Sequence, residues 1–183
     1  MKKVLLHICC GVCAFACIKH LKEEGYCVEG FFYNPNIFPE NEYSKRENAA
    51  KDVCDINSVK FNSGLYEPLK WDSICSAYAN EPEGGMRCDL CYKIRLEESF
   101  RKTIELGCDL FTTTLSVSPH KKSKIINEIG SAIAASHFMP ADFKKNDGFK
   151  KTMEFAKAHN VYRQNYCGCS YSLRQNLKGN KQK

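Results

Sequence analysis

Two pairs of cysteines carry the most chemistry in this chain: the vicinal Cys9-Cys10 near the amino terminus, and Cys88-x-x-Cys91 much further on. Each pair stands where a regular element begins or ends, so folding could bring four thiolates to one point. That shell suits a four-iron, four-sulfur cluster, and it suits tetrahedral zinc as well; spacing leaves both open. Within a strand Cys9 and Cys10 would point to opposite faces, so they serve one site only if the backbone turns there, which Gly11 permits. Cys88 and Cys91, three apart at a helix start, share one side of that helix, whose unpaired amides favour anionic sulfur.

Other cysteines divide by context. Cys13 lies one helical turn past the first pair, where it is either a ligand for a second metal or a small buried residue. Cys167-Gly168-Cys169 can chelate a metal, or close a small, strained and readily reduced disulfide ring that relays two electrons. Cys17, Cys27, Cys54, Cys75 and Cys108 stand singly among apolar neighbours and are expected to pack as small hydrophobes. His7, on an apolar strand, is expected to be a hydrogen-bonded core residue rather than a ligand.

The elements that must position these residues follow from apolar patterning. Lys3 to Ile8 reads as a strand, Val12 to Glu24 as a helix with Cys13, Ala16, Cys17, His20 and Leu21 on related faces, and Gly25 as its cap. Cys27 to Tyr33 is a second strand, Asn41 to Asp55 a charged helix, and Val59 to Asn62 a third strand. A helix over Trp71 to Asn80 precedes the breaker Glu81-Pro82-Glu83-Gly84-Gly85. The next helix starts at Arg87-Cys88 and runs to Leu106, with Leu90, Ile94, Phe100 and Ile104 as candidate core positions. Leu110 to Leu115 is a strand, Ser116 to Lys122 a turn, Lys124 to Ala135 a helix, Phe138 to Ala141 a last strand and Gly148 to His159 a last helix.

Strands alternating with helices predict an α/β domain with a mainly parallel sheet covered on both faces. In such sheets ligands lie beyond the carboxyl ends of the strands, so the loop after the first strand and the loop at Ser116 to His120 should line one crevice. One domain over residues 1–173 is expected, with 174–183 as a basic, flexible tail.

At 183 residues the chain can bury a core without disulfide staples, so its 12 cysteines need another explanation. The start, Met1-Lys2-Lys3 running into Val4-Leu5-Leu6, is too short for a signal-peptide core, and no apolar run is long enough to cross a membrane. A cytoplasmic protein with no membrane partner is the expectation, and there clustered cysteines point to metal or redox chemistry. The formal charge of +6 gives weak support for a polyanionic partner. Basic residues bunch at His120, Lys121, Lys122 and Lys124, at Lys144, Lys145, Lys150 and Lys151, and in the tail.

Four blocks become specific when taken together: His7-Ile8-Cys9-Cys10-Gly11-Val12-Cys13; Arg87-Cys88-Asp89-Leu90-Cys91-Tyr92-Lys93-Ile94-Arg95-Leu96; Thr112-Thr113-Thr114-Leu115-Ser116-Val117-Ser118-Pro119; and Tyr162-Arg163-Gln164-Asn165-Tyr166-Cys167-Gly168-Cys169-Ser170-Tyr171-Ser172. In these, and in their order, the chain resembles the cobalamin-independent epoxyqueuosine reductase family, QueH. Val12 departs from the family's usual proline, which should alter loop stiffness rather than chemistry.

The resemblance implies a single Rossmann-like domain of the adenine nucleotide α-hydrolase (HUP) kind, and reduction of epoxyqueuosine to queuosine at the wobble position of tRNA. It implies a [4Fe-4S] cluster held by Cys9, Cys10, Cys88 and Cys91, a redox-active disulfide between Cys167 and Cys169, and a place near Cys13 for an additional iron ion; on chemical grounds such an iron is expected to act as a Lewis acid toward the epoxide. The partners would be tRNA and an electron donor that the residues do not name. Tyr92, Tyr162, Tyr166 and Tyr171 are candidates to stack on a splayed base, and His120, Lys121, Lys122, Lys144 and Arg163 to contact phosphate. Two rivals remain at this level. One is a zinc-binding RNA-binding module without catalysis. The other is an ATP-dependent tRNA-modifying enzyme, disfavoured because Cys9-Cys10-Gly11-Val12-Cys13 stands where a small-residue phosphate loop would be, so no nucleotide cofactor is expected.

Overall fold

Alternation of apolar side chains along Val4-Leu5-Leu6 lets one strand feed two cores at once. In the computed structural model, which describes residues 1–145 and 148–173, strand β1 (Lys3–His7) sends Val4, Leu6 and the following Ile8 to one face and Leu5 to the other. It is joined by β2 (Cys27–Phe32), β3 (Lys60–Ser63) and β4 (Leu110–Thr113) in a four-stranded sheet of order β3-β2-β1-β4. Every pairing is parallel, so each crossover carries helix, and the sheet is buried on both sides.

On one face lie α1 (Gly11–Glu23), α2 (Glu40–Ile56) and α6 (Gly148–Ala158), with Ile18, Leu21, Val53 and Phe155 against Leu6 and Ile8. On the other lie α4 (Met86–Glu105) and α5 (Ser123–Ala134), with Leu96 and Ile126 against Leu5, Phe31 and Phe111. A short α3 (Pro68–Cys75) leans on α4 through Trp71 and Cys75. The strand order reverses between β1 and β4, and at such a switch point the loops that leave the strands part to form a crevice.

Four expectations need correction. Phe138 to Ala141 is not a strand: Phe138 makes a single parallel bridge to Phe111, and Pro140 has no N–H with which to extend a ladder. The helix expected over Trp71 to Asn80 begins at Pro68, whose fixed φ suits a first turn, and ends at Cys75 in a 3₁₀ turn. The buried face of α4 is Cys88, Cys91, Tyr92, Arg95, Leu96, Ser99 and Thr103, while Ile104 is 56% exposed. His20 and Cys27 are exposed as well. The tail at 174–183 lies outside the described residues.

Among the described residues no helix is long and apolar enough to cross a membrane. His7 is fully buried, with Nδ1 2.8 Å from Thr113 Oγ1 and Nε2 3.1 Å from the Tyr33 carbonyl oxygen. Burial and the nearby Arg95 lower its pKa to about 3, so it serves the core as a neutral ring.

Candidate metal centre and its cleft

The turn after β1 is pinned from both sides before any sulfur is considered. Ile8 donates its amide to Phe31 at 2.7 Å and accepts from Asn34 Nδ2 at 2.9 Å, and Cys9 donates its amide to Thr114 Oγ1 at 3.0 Å. Cys10 stays extended (φ −168°, ψ 156°) and caps α1, which begins at Gly11. Gly11 is not needed for a left-handed turn: a Cβ there would stand 2.4 Å from the Ala49 carbonyl oxygen, so the glycine admits the backbone of α2.

This local fold places the sulfurs of Cys9, Cys10 and Cys13 within 4.8 Å of one another. Cys9 and Cys10 are 3.8 Å apart; Thr114 Oγ1 donates to Cys9 at 3.2 Å and Gln164 Nε2 to Cys10 at 3.1 Å. Hydrogen bonds from Cys10 and Cys13 hold the Cys9 thiol well below its ordinary pKa, with help from Lys121 and Arg95 against the cost of burial. Cys13 donates to Cys10 and lowers it, but its contact with Cys9 and burial win, and Cys10 is pushed up to about 12. The same contacts and burial hold Cys13 well above its usual range. Three sulfurs this close, one favoured as thiolate by hydrogen bonds from the other two, make a donor set that could hold a metal ion.

Cys88 and Cys91 occupy the first two turns of α4, and both are buried. Cys88 accepts from the Gly84 amide at 3.2 Å and belongs to the core cluster against which Cys9 packs. Cys91 packs instead with Trp71, Cys75 and Cys169. Among the described residues the group drawn together is therefore Cys9, Cys10 and Cys13; it does not include Cys88, which packs into the second core, or Cys91, which packs with Trp71, Cys75 and Cys169. Burial raises the pKa of both α4 thiols.

The donor set fits a metal–sulfur group. Both cysteine pairs sit at helix amino termini, where free amides and the dipole favour anionic sulfur. Beside Cys91, the buried Trp71 and Arg95 side chains act as donors toward its sulfur and pull its thiol down, although burial outweighs them and raises it. Buried donors turned toward a cysteine favour negative charge on its sulfur.

In front of Cys9 and Cys13 opens a cleft of about 610 Å³, walled by the β4–α5 loop at Ser118–Lys121, by Asn34 and Asn36 after β2, and by Arg163–Cys167. Lys121 lines it; burial lowers the pKa of its ammonium, but Cys167, Cys9 and Tyr92 outweigh that and raise it. His120, Arg163 and Tyr166 also line this cleft. Lys122 is exposed beside it. Lys144 is engaged with the Lys121 carbonyl at 3.0 Å and Ser123 Oγ at 3.3 Å, so it braces the loop. Tyr92 is buried in the second core, and Tyr162 donates to Glu42 Oε2 at 2.5 Å. Tyr171 is bonded to Asp72 Oδ1 at 2.9 Å. Cys167 lines the cleft, its thiol raised to about 12 chiefly by burial, and Cys169 turns away into the Trp71, Cys75 and Cys91 cluster.

The cysteine blocks and the cleft can now be set beside known proteins. A family model described as epoxyqueuosine reductase QueH matches residues 4–175, nearly the whole chain. The chain belongs to the QueH family. It is 33% identical over 180 residues to the epoxyqueuosine reductase QueH of Streptococcus pyogenes, covering 93% of this chain and 70% of that one. To the QueH of Thermotoga maritima it is 35% identical over 179 residues, covering 94% and 91%. A predicted subunit of a tRNA methyltransferase from Methanocaldococcus jannaschii shares the fold at a TM-score of 0.58 with 12% identity, covering 86% of this chain and 75% of that one.

Within this QueH chain, three residues near the cleft received no role from the sequence, although Arg95 stands in one of the four blocks. Arg95 is buried between Asn34 and Cys91, and Glu42 and Arg46 form a buried pair on α2. Only the four-residue spacing of Glu42 and Arg46 signalled anything, and at the surface such pairs are ordinary.

Proposed function

We propose that this protein is a tRNA-modifying oxidoreductase that reduces epoxyqueuosine to queuosine at the wobble position of tRNA, completing queuosine biosynthesis in the cytoplasm. The observation that carries the reading is the QueH match across residues 4–175 in a chain whose Cys9, Cys10 and Cys13 sulfurs gather beside a cleft that Cys9, Cys13 and Cys167 line. The net reaction joins an epoxide with two electrons and two protons, breaks both carbon–oxygen bonds, and gives an alkene and water.

In this reading Cys9, Cys10, Cys88 and Cys91 would hold a [4Fe-4S] cluster, and Cys13 an additional iron. The cluster, when bound, supplies single electrons at low potential. Oxidation of the Cys167 and Cys169 thiols to a disulfide releases two electrons and two protons, the number the epoxide consumes, and an electron donor then restores the dithiol. Lys121, an ammonium among sulfurs, holds negative charge in the cleft. Tyr166 offers a ring on which the extruded base stacks, and His120, Lys121, Lys122 and Arg163 meet the flanking phosphates.

The test is turnover by anaerobically purified protein on tRNA carrying epoxyqueuosine, with dithionite as reductant, read by mass spectrometry of nucleosides. Queuosine should appear, and iron and acid-labile sulfide should accompany the protein. Zinc in place of iron, with no queuosine formed, would instead make this a binding module.

A further inference from the structure

The Cys167-Gly168-Cys169 segment is held by a part of the fold that none of the cysteine blocks contains. Arg46, 2% exposed, donates Nη1 to the Cys167 carbonyl at 3.0 Å and Nη2 to the Tyr166 carbonyl at 3.1 Å, and lies 5.1 Å from the centre of the Tyr166 ring. Its remaining edge is fixed by Glu42, which accepts from Nε at 2.7 Å with one oxygen and from the Tyr162 hydroxyl with the other. Three directions of one rigid guanidinium are thus spent on a carboxylate of its own helix and on two carbonyls of one loop, a task that lysine's single ammonium cannot reproduce.

Gly168 completes the contact. Its φ of +123° belongs to glycine, and a Cβ at this position would stand 2.9 Å from Arg46 Nη1. From the other side the Gly168 carbonyl accepts the Phe38 amide at 2.8 Å, and the Tyr166 hydroxyl donates to the Phe38 carbonyl. So held, the two sulfurs diverge: Cys167 looks into the cleft with Lys121, and Cys169 into the pocket of Trp71, Cys75 and Cys91.

We infer that the Glu42–Arg46 pair is a positioning latch that keeps Cys167 on the cleft side and Cys169 on the Cys91 side, and so opposes closure of their disulfide. The inference deepens the proposed function and rests on its reading of these two thiols as a redox pair. Releasing the latch should let the segment swing, bring the sulfurs together and move the pair toward the disulfide.

The experiment compares wild type with Arg46→Lys and Gly168→Ala, each purified anaerobically. Three readouts are taken: the rate of Cys167 alkylation by iodoacetamide, the dithiol–disulfide ratio in glutathione buffers by mass spectrometry, and kcat and KM on epoxyqueuosine tRNA. Because a hydrogen bond of ordinary worth moves an equilibrium by about fivefold, both variants should shift the ratio toward disulfide by at least about that factor. Cys167 labelling should change in rate, and kcat should fall with KM for tRNA unchanged. Unaltered labelling and an unaltered ratio in variants with native circular dichroism would overturn the latch. Should Arg46→Lys not fold, Gly168→Ala decides, since its Cβ parts the loop from Arg46 Nη1 while the Glu42–Arg46 pair within α2 can stay formed. If wild type forms no Cys167–Cys169 disulfide in any buffer, the redox reading fails, while the labelling comparison still judges the latch.

Discussion

The hydroxyl of Thr114 stands between the amide and the sulfur of Cys9, accepting from the first at 3.0 Å and donating to the second at 3.2 Å. One side chain at the end of β4 thereby orients the ligand-bearing turn after β1. Thr114→Val keeps the volume and leaves the Cys9 amide without its acceptor, an omission that costs about 1–3 kcal/mol. The urea midpoint should fall accordingly and metal content with it, and Thr114→Ser should restore both.

Cys9 should be the first thiol of this centre to react in metal-free protein. Its folded pKa is depressed by the Cys10 and Cys13 hydrogen bonds and by Lys121, so the thiolate persists as pH falls. An ordinary thiol loses reactivity about tenfold per pH unit below its pKa of about 8.5. Iodoacetamide labelling followed by peptide mapping should therefore show the Cys9 rate falling less steeply as pH is lowered from about 8 than that of an unperturbed cysteine. Cys10 and Cys13, both raised, should stay unlabelled.

Gly11→Ala drives a methyl group to within 2.4 Å of the Ala49 carbonyl oxygen. Neither backbone can yield cheaply, since α1 begins there and α2 is mid-helix, and overpacking of this kind costs about 1–3 kcal/mol. The expected result is a lower melting temperature together with a lower iron occupancy, because the shift falls on the residue between Cys10 and Cys13. Iron quantification against protein concentration checks it.

Arg163 lines the cleft and is exposed, so a phosphate contact there would be independent of the metal centre. Arg163→Ala should weaken tRNA binding across sequences and reduce the slope of log affinity against log salt by about one unit or a little less. An unchanged slope in fluorescence-anisotropy titrations would remove Arg163 from the interface. Lys144→Ala, by contrast, should act through the loop it braces and show up first in stability.

What could be read from residues alone was the part governed by period and by glycine. The run Val4-Leu5-Leu6, the helix after Cys10 and the sheet rim bearing the cysteines all follow from apolar spacing, because those elements bury apolar faces. The inward face of α4 was missed for the converse reason. Ser99 and Thr103 are buried there, each bonding back to a carbonyl four residues earlier at 2.7 Å, so polar residues occupy a core stripe without penalty. Arg46 was invisible for a related cause: its partners are carbonyls of residues 166 and 167, and no local pattern announces so distant a bond. At Gly11 the residue drew attention for its flexibility, whereas the neighbour it must admit lies on another helix.

The strand preceding the cysteine turn is hydrogen-bonded along both edges, to β2 and to β4. Such an interior strand exchanges its amide hydrogens only when the domain opens as a whole. Deuterium uptake at Val4 to His7 should accordingly be the slowest among the described residues, and any metal held by Cys9 and Cys10 would be anchored to a root that opens only with the whole domain.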